Sequence, residues 1–499
     1  MPLPASRQVS GKKNMKEDQP ELKRSLGLID ATMIVAGSMI GSGIFIVSAS
    51  MSRAVGSAGY LLLLWIITGV ITVMAALSYG ELAGMMPKAG GQFVYIQRAF
   101  GNLIAFLYGW TVFTVIQTGV IAAVAVAFAN YSAIFFPELQ GQILSIADGA
   151  FVITWKQILS IITILLLTYS NTRGIRNGKM IQLIFTSTKL FALFALIVLG
   201  IAMAFKSDTL MENFKNAWDA STTTVNEDGT ISITHLAGFA LIGAMGSTII
   251  NSLFSADAWN NVTFIAGEIK DPKKNIPRSL FLGTLLVTSL YVLANIAYLA
   301  LLPLKGDPLA QDAFGQGIQF ATNDRVGASA ATMIFGNVAL FIMAGLIMIS
   351  TFGCNNGLIL SGARVYYAMA KEKLFLKKAG TLNENSVPSF ALWIQCTWAC
   401  ALCLSGTYSD LVNYSTFASM IFYIVTIAGL FVLRKKEPNA DRPYKAFGYP
   451  IIPALYILSA LAICTILIIY DGRNTGFGLI CVFLGIPVYY FTKKRPALD

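Results

Sequence analysis

At 499 residues, 56% hydrophobic and only 12% charged, the chain carries about half the charge of a soluble domain, which excludes a soluble globular protein. Its apolar runs are long and continuous, so they predict membrane-spanning helices rather than a barrel of alternating strands. The net charge of +11 raises nucleic acid as a partner, and the placement of the basic residues, given below, removes it.

Residues 1–25 are polar and lead straight into the first apolar segment, as expected of a cytoplasmic tail without a cleavable signal. That segment, about 28–48, contains Gly37-Ser38-Met39-Ile40-Gly41-Ser42-Gly43-Ile44-Phe45. Glycine in a helix interior costs about 1 kcal/mol relative to alanine. Two readings stand. Small residues let membrane helices pack closely. Alternatively the helix breaks, which hydrocarbon tolerates only where the freed backbone faces protein or a wet cavity. A break would expose the N–H groups of Ser42 and Gly43 on one side and the carbonyls of Met39 and Ile40 on the other. Those groups suit the carboxylate and the ammonium of an amino acid.

Further apolar segments follow at about 59–86, 102–136, 157–172, 180–205, 236–266, 279–302, 330–370, 388–406, 411–433, 451–470 and 475–491, twelve in all. Gln117, in the third, reads as a partner for a neighbouring helix. Lys189, deep in the fifth, needs partners for its ammonium and is either a structural bridge or a functional group. The loop 206–235 carries five acidic residues and a Ser-Thr run, which predicts an exposed, partly irregular segment. Trp155 and Trp218 read as interface anchors. His235, the lone histidine, has no second histidine or cysteine beside it for a metal site. The sixth segment is irregular at Gly243-Ala244-Met245-Gly246-Ser247 and again from Phe254 to Asn260. Two interrupted segments at matching positions point to a transporter site between inverted repeats. Asp257, at membrane depth, either caps an unwound half-helix, contacts substrate or takes part in proton coupling.

All six cysteines lie in apolar segments of the second half; Cys396, Cys400 and Cys403 fall on one helix face and read as reduced. With both termini cytoplasmic, 28 of the 36 Lys and Arg lie on that side. This bias fixes the expected orientation and accounts for the net charge without nucleic acid. No nucleophile with a histidine base and no metal-ligand motif is present, so neither an enzyme nor a cofactor is expected. No repeated filter sequence suggests a channel.

Several motifs resemble the amino acid–polyamine–organocation superfamily, and within it the L-type amino acid transporter family, as a bacterial-type member. They are the Gly37–Phe45 stretch; Pro87-Lys88-Ala89-Gly90-Gly91-Gln92 closing on Ala99-Phe100-Gly101; Trp259-Asn260 with Gly267-Glu268 and Asn275-Ile276-Pro277; Ser350-Thr351-Phe352-Gly353 with Asn356-Gly357 and Arg364; and Arg442-Pro443-Tyr444. They run in order over nearly the whole chain. The resemblance implies an all-α polytopic membrane protein of twelve transmembrane helices, a LeuT-like 5+5 inverted repeat plus two. The expected divisions are a tail at 1–25, repeats at 26–205 and 236–433 around an extracellular loop at 206–235, two helices with their preceding loop at 434–492, and a tail at 493–499.

By the same resemblance, Ser42 and Gly43 N–H groups hold the substrate carboxylate, and carbonyls near Met39 and of Phe254 hold its ammonium. Ile40, Gly41, Ser255, Ala256 and Asp257 complete the substrate site, and Phe254 gates it. Lys189 matches the lysine that replaces a sodium ion, with Gly37, Ile40, Ser350 and Thr351 as its surroundings. Asp257 departs from the small residue usual in animal members. Residues 137–156 contain no cysteine, so no disulfide-linked heavy chain is expected, and a prokaryotic plasma membrane is favoured. The expected activity is sodium-independent exchange of L-amino acids, neutral ones foremost; proton symport and a cationic amino acid or polyamine carrier are the alternatives.

Overall fold

The computed structural model describes residues 22, 24–146, 151–226, 230–405, 408–470 and 472–494. The first segment is broken: α1 (Leu28–Met39) and α2 (Val47–Val55) are joined by a bend at 40–42 and a 3-10 turn, Gly43–Phe45. Helix α3 (Ala58–Met85) follows, with the Ser57 hydroxyl accepting the Tyr60 N–H at its start. A short helix α4 (Gln92–Phe100) leads to α5 (Asn102–Thr111), which runs through a π-turn at Val112–Ile116 into α6 (Gln117–Phe135). A hairpin of β1 (Gln142–Ile146) and β2 (Phe151–Thr154) precedes α7 (Trp155–Thr172), whose Thr154 and Gln157 form a reciprocal cap.

Then come α8 (Ile175–Ala204), the short α9 (Thr209–Phe214), and β3 (Ser221–Val225) paired antiparallel with β4 (Ile231–His235). The loop expected to be partly irregular therefore holds a helix and a hairpin. Its Thr-rich run, β-branched and alternating, supplies the strand. The second broken segment is α10 (Gly238–Ser255) with α11 (Asn261–Phe264). The remaining helices are α12 (Pro272–Leu301), α13 (Ala313–Gln316), α14 (Val326–Phe335), α15 (Ala339–Lys371), α16 (Ser389–Ser405), α17 (Tyr408–Lys436), α18 (Ile451–Tyr470) and α19 (Gly472–Lys494).

Among the described residues nine helices are long and apolar enough to cross a membrane. The other three apolar segments fall short for identifiable reasons. The first is cut by its glycines, α16 has only 17 residues, and α7 carries polar residues at both ends.

The packing places the two breaks together. Helix α12 lies along both α3 and α1, and α15 lies along α6, α8 and α1. One apolar core gathers around α1, α3 and α12; the second gathers around α5, α6, α15 and α16. Beyond the core, Glu81 at the end of α3 is fully buried and accepts from Arg434, Arg442 and the Ala446 N–H. This ties the α17–α18 connection to α3.

Candidate functional site

Helix α1 ends because Ile40 turns extended, with φ −77° and ψ 96°. The carbonyls released there would otherwise be unmet at membrane depth. Each finds a donor from a distant helix. The Lys189 ammonium, 1% exposed, donates to Gly37 O and to Ile40 O, both at 2.6 Å. It sits where the negative end of the α1 dipole favours a cation. Ser350 Oγ donates to Ile40 O or Gly41 O, each 3.1 Å away. Cys354 Sγ lies 3.1 Å from Ser38 O as its donor. The Thr351 hydroxyl instead bonds Ile347 O at 2.8 Å within its own helix, so it does not join the break.

The glycines serve both of the uses read from the sequence. A Cβ on Gly37 would collide with Gln182 and Thr186, and one on Gly43 with Ser255. Gly37 is therefore a packing glycine inside α1, whereas Gly43, in the irregular stretch, brings it against Ser255 of α10, and Gly41 faces Cys354 of α15.

Helix α10 ends at Ser255, and the chain then passes Ala256, Asp257 and Ala258 before α11. Ala258 has φ +64°, a left-handed conformation that a residue with a Cβ rarely adopts. Tyr291 of α12 joins the two breaks: its hydroxyl lies 3.0 Å from Ser255 O and 3.2 Å from Met39 O. A hydroxyl has one proton, so the two carbonyls share it. Tyr298 OH reaches Ile44 O at 3.4 Å, and Asn295 Oδ1 accepts from Ser48 Oγ at 2.6 Å. Positions 291, 295 and 298 lie on one face of α12, which thereby braces both halves of the first segment. Sequence reading missed this brace. Its signal is a polar stripe at helical spacing in a segment that otherwise reads as plain core.

Asp257 Oδ1 accepts from Tyr423 OH at 2.5 Å, and the same hydroxyl lies 3.3 Å from Asn260 Oδ1. Asn260 Nδ2 donates to Gln92 Oε1 at 2.8 Å, and Gln92 Nε2 donates to Phe422 O and Thr426 Oγ1. The network links the second break to α4 and α17. Two small cavities flank it, of about 20 and 30 Å³. Asp257, Ser419 and Tyr423 line both. The first cavity also meets Gln117, Asn261 and the π-turn residues Val112 and Ile116; the second meets Ala256, Trp259 and Thr72. Phe254 is half-buried one turn before Asp257, and Gln117 Nε2 donates to Leu358 O at 2.8 Å.

Polar contacts bridge neighbouring elements at both ends of this centre. At the α2 end, Arg53 pairs with Asp324 through two bonds and also donates to Gln319 O, while Gln319 Nε2 donates to Ser52 O. At the α1 end, the N–H groups of Ser25 and Leu26 donate to Glu268 O, and Lys270 N donates to Leu26 O. Glu268 in turn holds Arg364 at 3.0 Å, with both side chains buried. Away from the centre, His235 is exposed beside Asp219, Trp155 is exposed, and Trp218 packs edge-to-face on Tyr60. All six cysteines are free thiols.

Against known proteins, the family model described as amino acid permease matches residues 26–489. The chain is 30% identical over 479 residues to the human large neutral amino acids transporter small subunit 2, covering 94% of this chain and 80% of that one. It is 29% identical over 486 residues to the serine/threonine exchanger SteT of Bacillus subtilis, covering 97% and 100%. A mouse Asc-type amino acid transporter 1 is 29% identical over 485 residues, covering 95% and 83%.

Proposed function

The chain belongs to the amino acid permease family, and from that premise we propose that it exchanges neutral L-α-amino acids across a plasma membrane without sodium. Family and relatives are membrane transporters and not enzymes. The observation that carries the reading is the pair of broken helices held face to face, with the Lys189 ammonium bonded to Gly37 O and Ile40 O. A fixed ammonium there takes the place a sodium ion would need and cannot be carried away by a gradient.

In this reading the Ser42 and Gly43 N–H groups receive the substrate carboxylate, as half-helix starts do for anions. The Met39 and Phe254 carbonyls receive the ammonium. Ile40 O is already engaged by Lys189 and Ser350, so its part is to hold the break open rather than to touch substrate. Gly41, Ser255 and Ala256 shape the floor, and Phe254 closes over the bound molecule. Tyr291 is added to the set, because substrate ammonium at Met39 O would release its proton wholly to Ser255 O.

The proposed architecture is twelve helices, with repeats at 26–205 and 236–433 and two helices after 434. Both termini are cytoplasmic, as the basic residues favour. The Arg53–Asp324 closure then faces outside and the Glu268–Arg364 closure inside, an arrangement suited to alternating access. No disulfide-linked subunit is included.

Asp257 favours a second reading, proton-linked symport, because it is a carboxyl hydrogen-bonded beside a cavity at membrane depth. One experiment separates the two. Purified protein in liposomes, loaded with one unlabelled amino acid at a time or left empty, is offered labelled amino acids with and without a pH gradient. Uptake confined to loaded liposomes is the expected result. Uptake into empty liposomes driven by inward protons would replace exchange with symport. No amino acid uptake under any condition would overturn both.

A further inference from the structure

The stripe that carries Lys189 begins two turns earlier. Gln182, Thr186 and Lys189 fall on one face of α8, and all three are at most 1% exposed. The other faces of α8 carry Leu183, Ile184, Phe191 and Phe194, all exposed. Lipid tails are as apolar as these side chains, so nothing on that side fixes how far the helix is turned or how high it stands. Lys189 must nevertheless meet Gly37 O and Ile40 O, both at 2.6 Å. The register has to come from the buried stripe.

Gln182 supplies it. Gly37 in α1 and Gly357 in α15 leave a slot for its amide: a Cβ on Gly37 would collide with Gln182 Nε2, and one on Gly357 would stand 3.0 Å from Gln182 Oε1. Gln182 Oε1 accepts from Asn356 Nδ2 of α15 at 3.5 Å, and Asn356 Oδ1 accepts from Asn171 Nδ2 of α7 at 2.9 Å. Gln182 Nε2 donates to Thr186 Oγ1 at 3.2 Å, back on α8. Asn171, Asn356 and Gln182 are at most 1% exposed, so these bonds form in a low dielectric without competition from water. One residue of α1 is thus gripped twice by α8: the Gln182 amide packs on the Gly37 Cα, and the Lys189 ammonium holds its carbonyl. The two grips stand about 10 Å apart along α8.

We propose that Gln182 is a positioning residue for Lys189. Held by Asn356 and Asn171 in the slot between the two glycines, it sets the height and rotation of α8 at which the ammonium reaches both carbonyls. This goes beyond the reading above and rests on it only for the part that Lys189 plays in transport.

Gln182→Met keeps the length of the side chain and removes both of its bonds. In the loaded-liposome assay its KM is expected to change unequally at the two membrane faces, by about three- to tenfold at the more sensitive one, the size expected for one hydrogen bond. In a Lys189→Ala background the same substitution is expected to change KM by less than about twofold, because no ammonium is left to place. A contribution of Gln182 to packing alone would give the same factor in both backgrounds, and that result overturns the proposal. An experimental density map of Gln182→Met, read without transport, is expected to show Lys189 Nζ out of hydrogen-bond distance of Gly37 O or Ile40 O. An ammonium still seated on both carbonyls overturns the proposal too. Asn356→Leu, which removes the amide that holds Gln182, is the second variant should Gln182→Met fail to fold, with the same expectations. Wild-type kinetics in Lys189→Ala, or no amino acid uptake at all, would count against the transport reading instead, and the map alone would then decide the positioning.

Discussion

Lys189 and Tyr291 each meet two backbone carbonyls, but the consequences of losing them differ. Lys189 is a buried cation whose partners are dipoles, so its removal leaves Gly37 O unmet while Ile40 O keeps Ser350. Lys189→Ala is expected to fold and to transport weakly, with KM changed unequally at the two membrane faces. Initial rates measured from both sides check this, and wild-type kinetics from both would end the bridging role. Tyr291 has one proton for two carbonyls on different helices. Tyr291→Phe keeps the edge-to-face packing on Trp65, 5.4 Å between centroids, and removes only that proton. The expected outcome is a KM raised roughly five- to tenfold with little change in melting temperature, since one such bond is worth about 1 kcal/mol net. A fall in kcat alone would mean that the tyrosine acts after binding.

Breaks in helices are the elements on which this molecule depends, and they are legible to different degrees. The first was half legible: Gly41-Ser42-Gly43 is a poor helix former for an apolar span, but close packing through small residues explained it equally well. Lys189 was visible because a lone cation at membrane depth needs partners. The α12 stripe was harder, since Tyr291, Asn295 and Tyr298 are spread over two turns among apolar neighbours and local pattern does not say which carbonyls they reach. Gln182 carried no signal, because its slot between Gly37 and Gly357 exists only once the helices around it are in place. The β3–β4 hairpin was likewise hidden by its polar composition. At this scale, Gly43→Ala drives a methyl into Ser255, an overpacking that costs about 1–3 kcal/mol. It is expected to abolish transport, and Ser255→Gly in the same chain is expected to restore part of it by removing the colliding atoms. Equal inactivity of the single and double variants, both folded, would place the requirement for Gly43 in its backbone freedom instead.

The two closures proposed for the whole molecule are built from unlike materials. Arg53–Asp324 is partly exposed, and such pairs contribute at most about 1 kcal/mol. Glu268–Arg364 is buried, and breaking such a pair by removing one partner costs about 3–5 kcal/mol. Arg53→Gln should therefore leave the melting temperature almost unchanged, while Ser50→Cys in that background reacts faster with a membrane-impermeant thiol reagent added outside. Glu268→Gln should lower the melting temperature markedly. Equal effects from the two substitutions would remove the asymmetry between the closures. A different consequence follows from the division of the first segment. Helix α1 has 12 residues, about 18 Å of rise, and cannot cross a bilayer core of about 30 Å by itself. Its free carbonyls wait for Lys189, Tyr291 and Ser350, the last of them 310 residues downstream of Ile40. At ribosomal speeds of about 5–20 residues per second, that donor emerges on the order of half a minute after the carbonyl it satisfies. The first break is therefore among the last parts of the fold to be completed, because a donor it needs is made long after it.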